Sequence, residues 1–116
     1  MSEVRTAHLL IKHTGSRNPI SRRTNQKVNQ SPQEALDELK KYQVYLRKRG
    51  PSSEDFAQTA SERSDCSSYK NGGDLGYFGR GQMQRPFEEA SFSLAVNTMS
   101  EIVSTDSGYH LIYRID

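Results

Sequence analysis

The chain has 116 residues, a net charge of +2, 33% hydrophobic and 26% charged residues, one cysteine and no tryptophan. That length suits one domain, residues 1–116, with a modest core, and the recurrence of Leu, Ile, Val, Tyr and Phe marks a folded chain. No apolar run reaches the roughly 18 residues of a membrane span, and Cys66 alone cannot close an internal disulfide. The first residues lack the charged-then-apolar pattern of a secretory signal. A reduced, intracellular protein of the cytoplasm and/or nucleus, without membrane attachment, is therefore expected. The charge is uneven. Residues 1–30 hold six bases (Arg5, Lys12, Arg17, Arg22, Arg23 and Lys27) against Glu3 alone, a local +5, and the remainder carries −3. A basic patch on a nearly neutral chain points to a local anionic ligand, whereas a nucleic-acid binder is more often basic over a broad face.

Val4 to Lys12 alternates as a strand, with Val4, Thr6, His8, Leu10 and Lys12 on one face and Arg5, Ala7, Leu9 and Ile11 on the other. Residues 13–30 show no periodicity and carry most of the excess positive charge. A basic loop of that length, expected to be flexible, is either disordered or functional. Ser31-Pro32-Gln33-Glu34 then has the pattern of a capping box with Pro at the first helical position. Leu36, Leu39, Gln43 and Leu46 continue the helix to Gly50-Pro51. Ser52 or Ser53 caps a second, shorter helix through Phe56, Ala57 and Ala60. Asp65 to Ser68 reads as a tight polar turn or short helix. Gly72 to Gly76 reads as a glycine-rich turn before a short strand at Tyr77-Phe78. Pro86 starts another helix with Glu88 and Glu89 in its first turn and Phe87, Ala90, Ser91 and Leu94 on one face. Ile102-Val103 and Tyr109 to Ile115 form a hairpin around Asp106-Ser107-Gly108. The order implies an α+β domain, a mostly antiparallel sheet of about four strands surrounded by about four helices.

His8 and His110 lie on the first and last strands. Either alone reads more simply as a satisfied sheet histidine, but terminal strands often pair, which would make the two neighbours. Cys66 has no apolar neighbours in sequence, which argues for partial exposure, and an adjacent imidazole or helix N-terminus would lower its pKa. One cysteine and two histidines also permit a Cys-His hydrolase. The spacing of a zinc site is missing, so no metal is expected. Gly72 to Gly76 has neither the Lys-Ser/Thr of a P-loop nor dinucleotide-binding spacing, and no organic cofactor is expected. Met83 and Phe87 read as core or as walls of a small apolar pocket.

Taken in order, His8 to His13, Ser64 to Ser68, Gly73-Asp74-Leu75-Gly76, Phe78 with Gly79 to Gln84, Pro86-Phe87-Glu88 and Thr105 to His110 resemble the parvulin family of peptidyl-prolyl cis/trans isomerases, from about Val4 to Ile115. The Cys-Ser-Ser turn and the basic loop resemble the Pin-type branch, which acts on phosphorylated Ser/Thr-Pro bonds. The resemblance implies an active site of His8, Cys66 and His110 with the hydroxyls of Thr105 and Ser107. It implies a proline pocket of Leu75, Met83 and Phe87 with Gln84 at its edge, and phosphate binding by Lys12 and Arg17. A second arginine commonly follows the first in that branch. Here Asn18 takes the position, and Arg22 or Arg23 is the candidate substitute. The WW module of many relatives is not expected, since the chain has no tryptophan. Expected partners are phosphorylated Ser/Thr-Pro proteins, with no requirement for nucleic acid. Charged helix faces without heptads suggest a monomer. A non-catalytic phosphopeptide or nucleic-acid binding domain and a hydrolase are the alternatives.

Overall fold

Burial of the first strand on both its faces, continuous from Thr6 to Ile11, sets the layout of the computed structural model, which describes residues 2–116. Strand β1 (Glu3–Ile11) pairs antiparallel with β2 (Asp74–Gly79) on one side and β4 (Gly108–Arg114) on the other, and β3 (Val103–Thr105) completes the order β2-β1-β4-β3. Three α-helices, α1 (Pro32–Lys48), α2 (Ser53–Arg63) and α3 (Arg85–Ser93), cover the sheet. On one face, Ala7, Leu9, Ile11, Leu111 and Tyr113 pack with Ala35, Leu39 and Leu46 of α1 and Phe56 and Ala60 of α2. On the other, Val4 and Ile112 pack with Phe78 and with Phe87 of α3. A residue of β1 therefore belongs to one core or the other by parity, as the two-residue period of a strand requires.

The helix signals act as their chemistry predicts. Ser31 Oγ accepts the Glu34 amide at 3.1 Å and Glu34 accepts the Ser31 amide at 2.9 Å, closing the capping box. Ser52, not Ser53, caps α2. The expected fourth helix is a single 3-10 turn, Ser67–Asn71, ended by Gly72 at φ 66°. Five residues between Cys66 and that left-handed glycine leave no room for an α-helix. Strand β2 begins earlier than Tyr77. Ala7 pairs with Asp74, and a register shift between Arg5 and Ala7 absorbs the extra residue, so Leu75 and Gly76 belong to an irregular strand start. The glycine before it is dictated by contact: a Cβ on Gly73 (φ 83°) would lie 2.3 Å from the His8 carbonyl oxygen, and the His8 amide donates to the Gly73 carbonyl at 2.9 Å.

The segment 13–30 carries its own hydrogen bonds. Ile20 bridges Lys27, Val28 donates to Pro19 and Thr14 to Gln30. Its distant anchors are Asp106, whose carbonyl accepts the Arg17 amide at 2.8 Å, and Asp65, whose carbonyl accepts the Arg22 amide at 2.8 Å. No helix among the described residues is long and apolar enough to cross a membrane. Among the described residues, no group of three His, Cys, Asp or Glu side chains is placed to hold a metal ion.

Candidate active site

Pairing of β1 with β4 sets Leu10 opposite His110 and His8 opposite Ile112. His8 and His110 are thus diagonal neighbours on the α3 face. Their Nδ1 atoms lie 3.0 Å apart, their rings stack at 5.2 Å, and Phe87 meets both edge-on at 5.3 and 5.1 Å. Both imidazoles are buried. Thr105 Oγ1 sits 2.6 Å from His110 Nε2 and accepts the Ser107 amide at 3.1 Å. Burial first, and the charge of His8 second, hold His110 well below the ordinary imidazole value, so it is neutral at physiological pH.

Half-buried Cys66 lies just ahead of the 3-10 turn. Burial alone would raise its thiol pKa. The neighbouring His8 ring and the Ser68 hydroxyl and amide outweigh that and bring it down to about 6. Among the described residues, His8 Nε2 has no other partner and no well-formed hydrogen bond to the sulfur. The two Nδ1 atoms share one hydrogen-bonding proton, so His8 turns its Nε2 edge toward the cavity and Cys66. A hydrogen-bonded line thus runs from Thr105 through His110 to His8 and ends, electrostatically, at the Cys66 sulfur.

These groups open onto a cavity of about 170 Å³ lined by His8, Cys66, Thr105, Ser107 and His110 on its polar side and Leu75, Met83 and Phe87 on its apolar side, with Gln84 between. Gln84 heads α3 without capping it through its side chain. Its carboxamide instead crosses to the β3–β4 turn, donating to Ser107 Oγ at 2.9 Å and accepting the Asp106 amide at 3.0 Å. All nine residues expected at the catalytic centre and proline pocket line this one cavity.

A second cavity of about 250 Å³ adjoins it, lined by Lys12, Arg17, Arg22 and Asn18 together with Leu10, Cys66, Ser67 and Ser107. Burial, then the charge of Arg22, lower the Lys12 pKa, opposed by Asp65 and Cys66. That coupling places the two cations close together. Lys12 Nζ donates to the Ile20 carbonyl at 2.7 Å, using one of its three donors. Arg23 does not line this cavity. Its charge acts on Tyr42 of α1, and its Nε is buried without a partner among the described residues. Asn18 lines the cavity at the position where the resemblance expects a second arginine, Ser67 lines it from the Cys-Ser-Ser turn, and the sequence alone does not separate Arg22 from Arg23.

Residues 8–116 match the model of the rotamase family described as the PPIC-type PPIase domain. The chain is 54% identical over 115 residues to the Theileria annulata peptidyl-prolyl cis-trans isomerase NIMA-interacting 1, covering 99% of this chain and 81% of that protein. It is 50% identical over 112 residues to peptidyl-prolyl cis-trans isomerase ESS1 of Saccharomyces cerevisiae, covering 97% and 65%. Among solved structures, the solution structure of TbPIN1 superposes with a TM-score of 0.87 at 45% identity over the whole of both chains. ESS1 from Candida albicans gives 0.92 at 40% identity, over 98% of this chain and 63% of that one. The chain thus spans about two thirds of each fungal protein.

Proposed function

The chain belongs to the parvulin, or PPIC-type, family of peptidyl-prolyl cis/trans isomerases, and from that premise we propose that its preferred substrates are proteins carrying phosphorylated Ser or Thr before the isomerising proline. The observation that carries this reading is the shared wall of the two cavities: Cys66 and Ser107 line both. A proline ring held against Leu75, Met83 and Phe87 leaves the preceding side chain facing Lys12, Arg17 and Arg22. A phosphate there meets three cations, and each charge-assisted hydrogen bond is worth roughly 1.5–3 kcal/mol when desolvated. Arg17 and Arg22 are exposed, so their shares fall toward the range of about 0–1 kcal/mol of solvated ion pairs. Arg22 stands in for the second arginine that Asn18 replaces.

Rotation about an X-Pro bond faces a barrier of about 18–20 kcal/mol and exchanges over tens to hundreds of seconds unaided. Reaching a turnover of about 10–10³ per second requires lowering it by only about 4–7 kcal/mol. No covalent step is needed for that. The apolar wall grips the ring while the preceding carbonyl turns. The twisted amide loses resonance, its nitrogen gains basicity, and charge at the carbonyl changes. The prearranged dipoles of His8, His110 and Ser107 and the thiolate of Cys66 follow that change without reorganising. Thiolate attack on the amide carbonyl is harder than the rotation it would assist, so Cys66 acts through its charge. The catalytic unit is a single chain of the cytoplasm or nucleus.

A double substitution, Lys12→Ala with Arg17→Ala, tests the substrate assignment in a protease-coupled isomerisation assay, with the peptide checked for direct cleavage. Activity on phospho-Ser-Pro peptides should fall strongly and on Glu-Pro peptides less, while activity on neutral X-Pro peptides stays near the wild-type level. A double mutant that keeps the full phosphopeptide preference would show that these two residues do not read the phosphate.

A further inference from the structure

Asp65 is buried, 2% exposed, and lines neither cavity, yet its bonds converge on the residues that do. One carboxylate oxygen accepts the Lys12 amide at 2.9 Å. The other accepts Ser21 Oγ at 2.7 Å and Arg63 Nη1 at 3.0 Å. Its own amide donates to the Leu10 carbonyl and its carbonyl accepts the Arg22 amide, both at 2.8 Å. Ser21, itself buried, passes the anchor into the loop by accepting the amides of Arg23 and Thr24 at 3.3 and 3.4 Å. Behind it, Arg63 pairs with Glu38 of α1 at 2.9 Å. The next residue in the chain is Cys66.

We infer that Asp65 is a positioning residue that locks the basic loop to the active-site cleft, fixing the backbones of Lys12 and Arg22 so that both cations face the anion. The inference deepens the phosphopeptide reading and rests on it. Burying a carboxylate is costly, and a buried ion pair is weak evidence for stability, since apolar packing usually serves the fold as well. Apolar packing could not accept two donors from the loop side and an arginine from the helix side at once. The two lining cations flank a basic excursion that would otherwise lose ordering entropy on binding phosphate. Anchoring it beforehand moves that cost from the binding step to folding. The Asp65 carboxylate also opposes the lowering of the Lys12 pKa by burial and by Arg22.

Ser21→Ala removes the hydroxyl link from the loop to the Asp65 carboxylate, together with the acceptor of the Arg23 and Thr24 amides, and leaves the Lys12, Arg22 and Arg63 bonds of Asp65 intact. Asp65→Asn also weakens the Arg63 side. For Ser21→Ala, KM on a phospho-Ser-Pro peptide should rise about tenfold, the loss of one hydrogen bond to a charged group. Its kcat and its kcat/KM on the unphosphorylated peptide should stay within about twofold of wild type, with a cooperative melt. Asp65→Asn should raise KM further and lower the melting temperature. Inorganic sulfate, titrated by amide chemical shifts at residues 12, 17 and 22, should bind both variants correspondingly more weakly. Unchanged phosphopeptide KM and sulfate affinity in both variants would overturn the inference, as would parallel losses on phosphorylated and neutral peptides. A wild type without phosphate preference would refute the substrate reading separately. In that event the sulfate titration decides: weakening in Ser21→Ala upholds the positioning role, and equal binding ends it.

Discussion

Replacing His8 by Leu separates the forces on Cys66. In the native site burial raises the thiol pKa, and the His8 ring together with Ser68 brings it to about 6. At pH 7 roughly ten thiolates exist for each thiol, against a few per cent thiolate for a free cysteine near 8.5. His8→Leu removes the largest lowering influence and leaves burial in place, so the pKa should rise to or above the free value. The thiolate fraction at pH 7 then falls about thirtyfold or more, and alkylation follows it because the thiolate is the nucleophile. Iodoacetamide labelling from pH 4.5 to 9.5, read by mass spectrometry, should give a midpoint near 6 in the wild type. It should give none below about 8.5 in the variant. His8 is buried between Phe87 and His110, so melts must accompany the labelling. An unchanged midpoint in a folded His8→Leu protein would refute the electrostatic account, as would a wild-type midpoint near 8.5. The catalytic counterpart is that Cys66→Ala loses much activity while Cys66→Asp keeps more. The Asp carboxylate supplies a negative charge at pH 7 and is not a competent thiol nucleophile.

Arg22→Ala should weaken selectivity for phosphopeptides several-fold while Arg23→Ala leaves it intact, since of these two only Arg22 joins Lys12 and Arg17 in lining the basic cavity; phosphopeptide KM values for the two variants decide it. His110 is held neutral when folded and can take a proton when unfolded, so stability is lost as pH falls below the ordinary imidazole value of about 6.5, by at most about 1.4 kcal/mol per pH unit. Denaturant melts between pH 7.5 and 5 should show that slope, and His110→Phe should flatten it whatever its absolute stability. Gly73→Ala should be severely destabilising, because the added Cβ meets the His8 carbonyl at 2.3 Å with φ at 83°; soluble expression with a wild-type melting temperature would contradict that.

Much of the fold and site was legible because local chemistry and global position agree. The Ser31–Glu34 capping box, the two-residue period of β1 and the hairpin at Asp106 to Gly108 are signals within a few residues. The partnership of His8 with His110 followed from placing them on terminal strands, and the register of β1 on β4 makes it a contact. What stayed hidden depends on long-range partners. Asp65 looks like an ordinary polar turn residue until its bonds to Lys12, Ser21 and Arg63 are seen. Arg22 and Arg23 are adjacent and chemically alike, and only the folded loop, bonded to Asp65 through Ser21 and the Arg22 amide, shows that Arg22 lines the cavity. The aperiodic segment 13–30 forms a bonded loop because Asp65 and Asp106, far away in sequence, accept its amides. Strand β2 starts early because a register shift, invisible to alternation, brings Asp74 beside Ala7.

Exchange NMR on a matched pair of peptides, phospho-Ser-Pro and Ser-Pro in the same sequence, tests the central claim most directly. It reads cis/trans interconversion with no protease present and with the peptide intact. With catalytic amounts of protein, exchange cross-peaks between cis and trans proline resonances should appear for the phosphorylated peptide at mixing times of tens to hundreds of milliseconds, far inside the uncatalysed exchange of tens to hundreds of seconds. They should be much weaker for the unphosphorylated peptide under the same conditions. Equal cross-peaks for both peptides would contradict the phosphate reading while leaving the isomerase intact. No cross-peaks for either would contradict catalysis by the cavity that His8, Cys66 and His110 line.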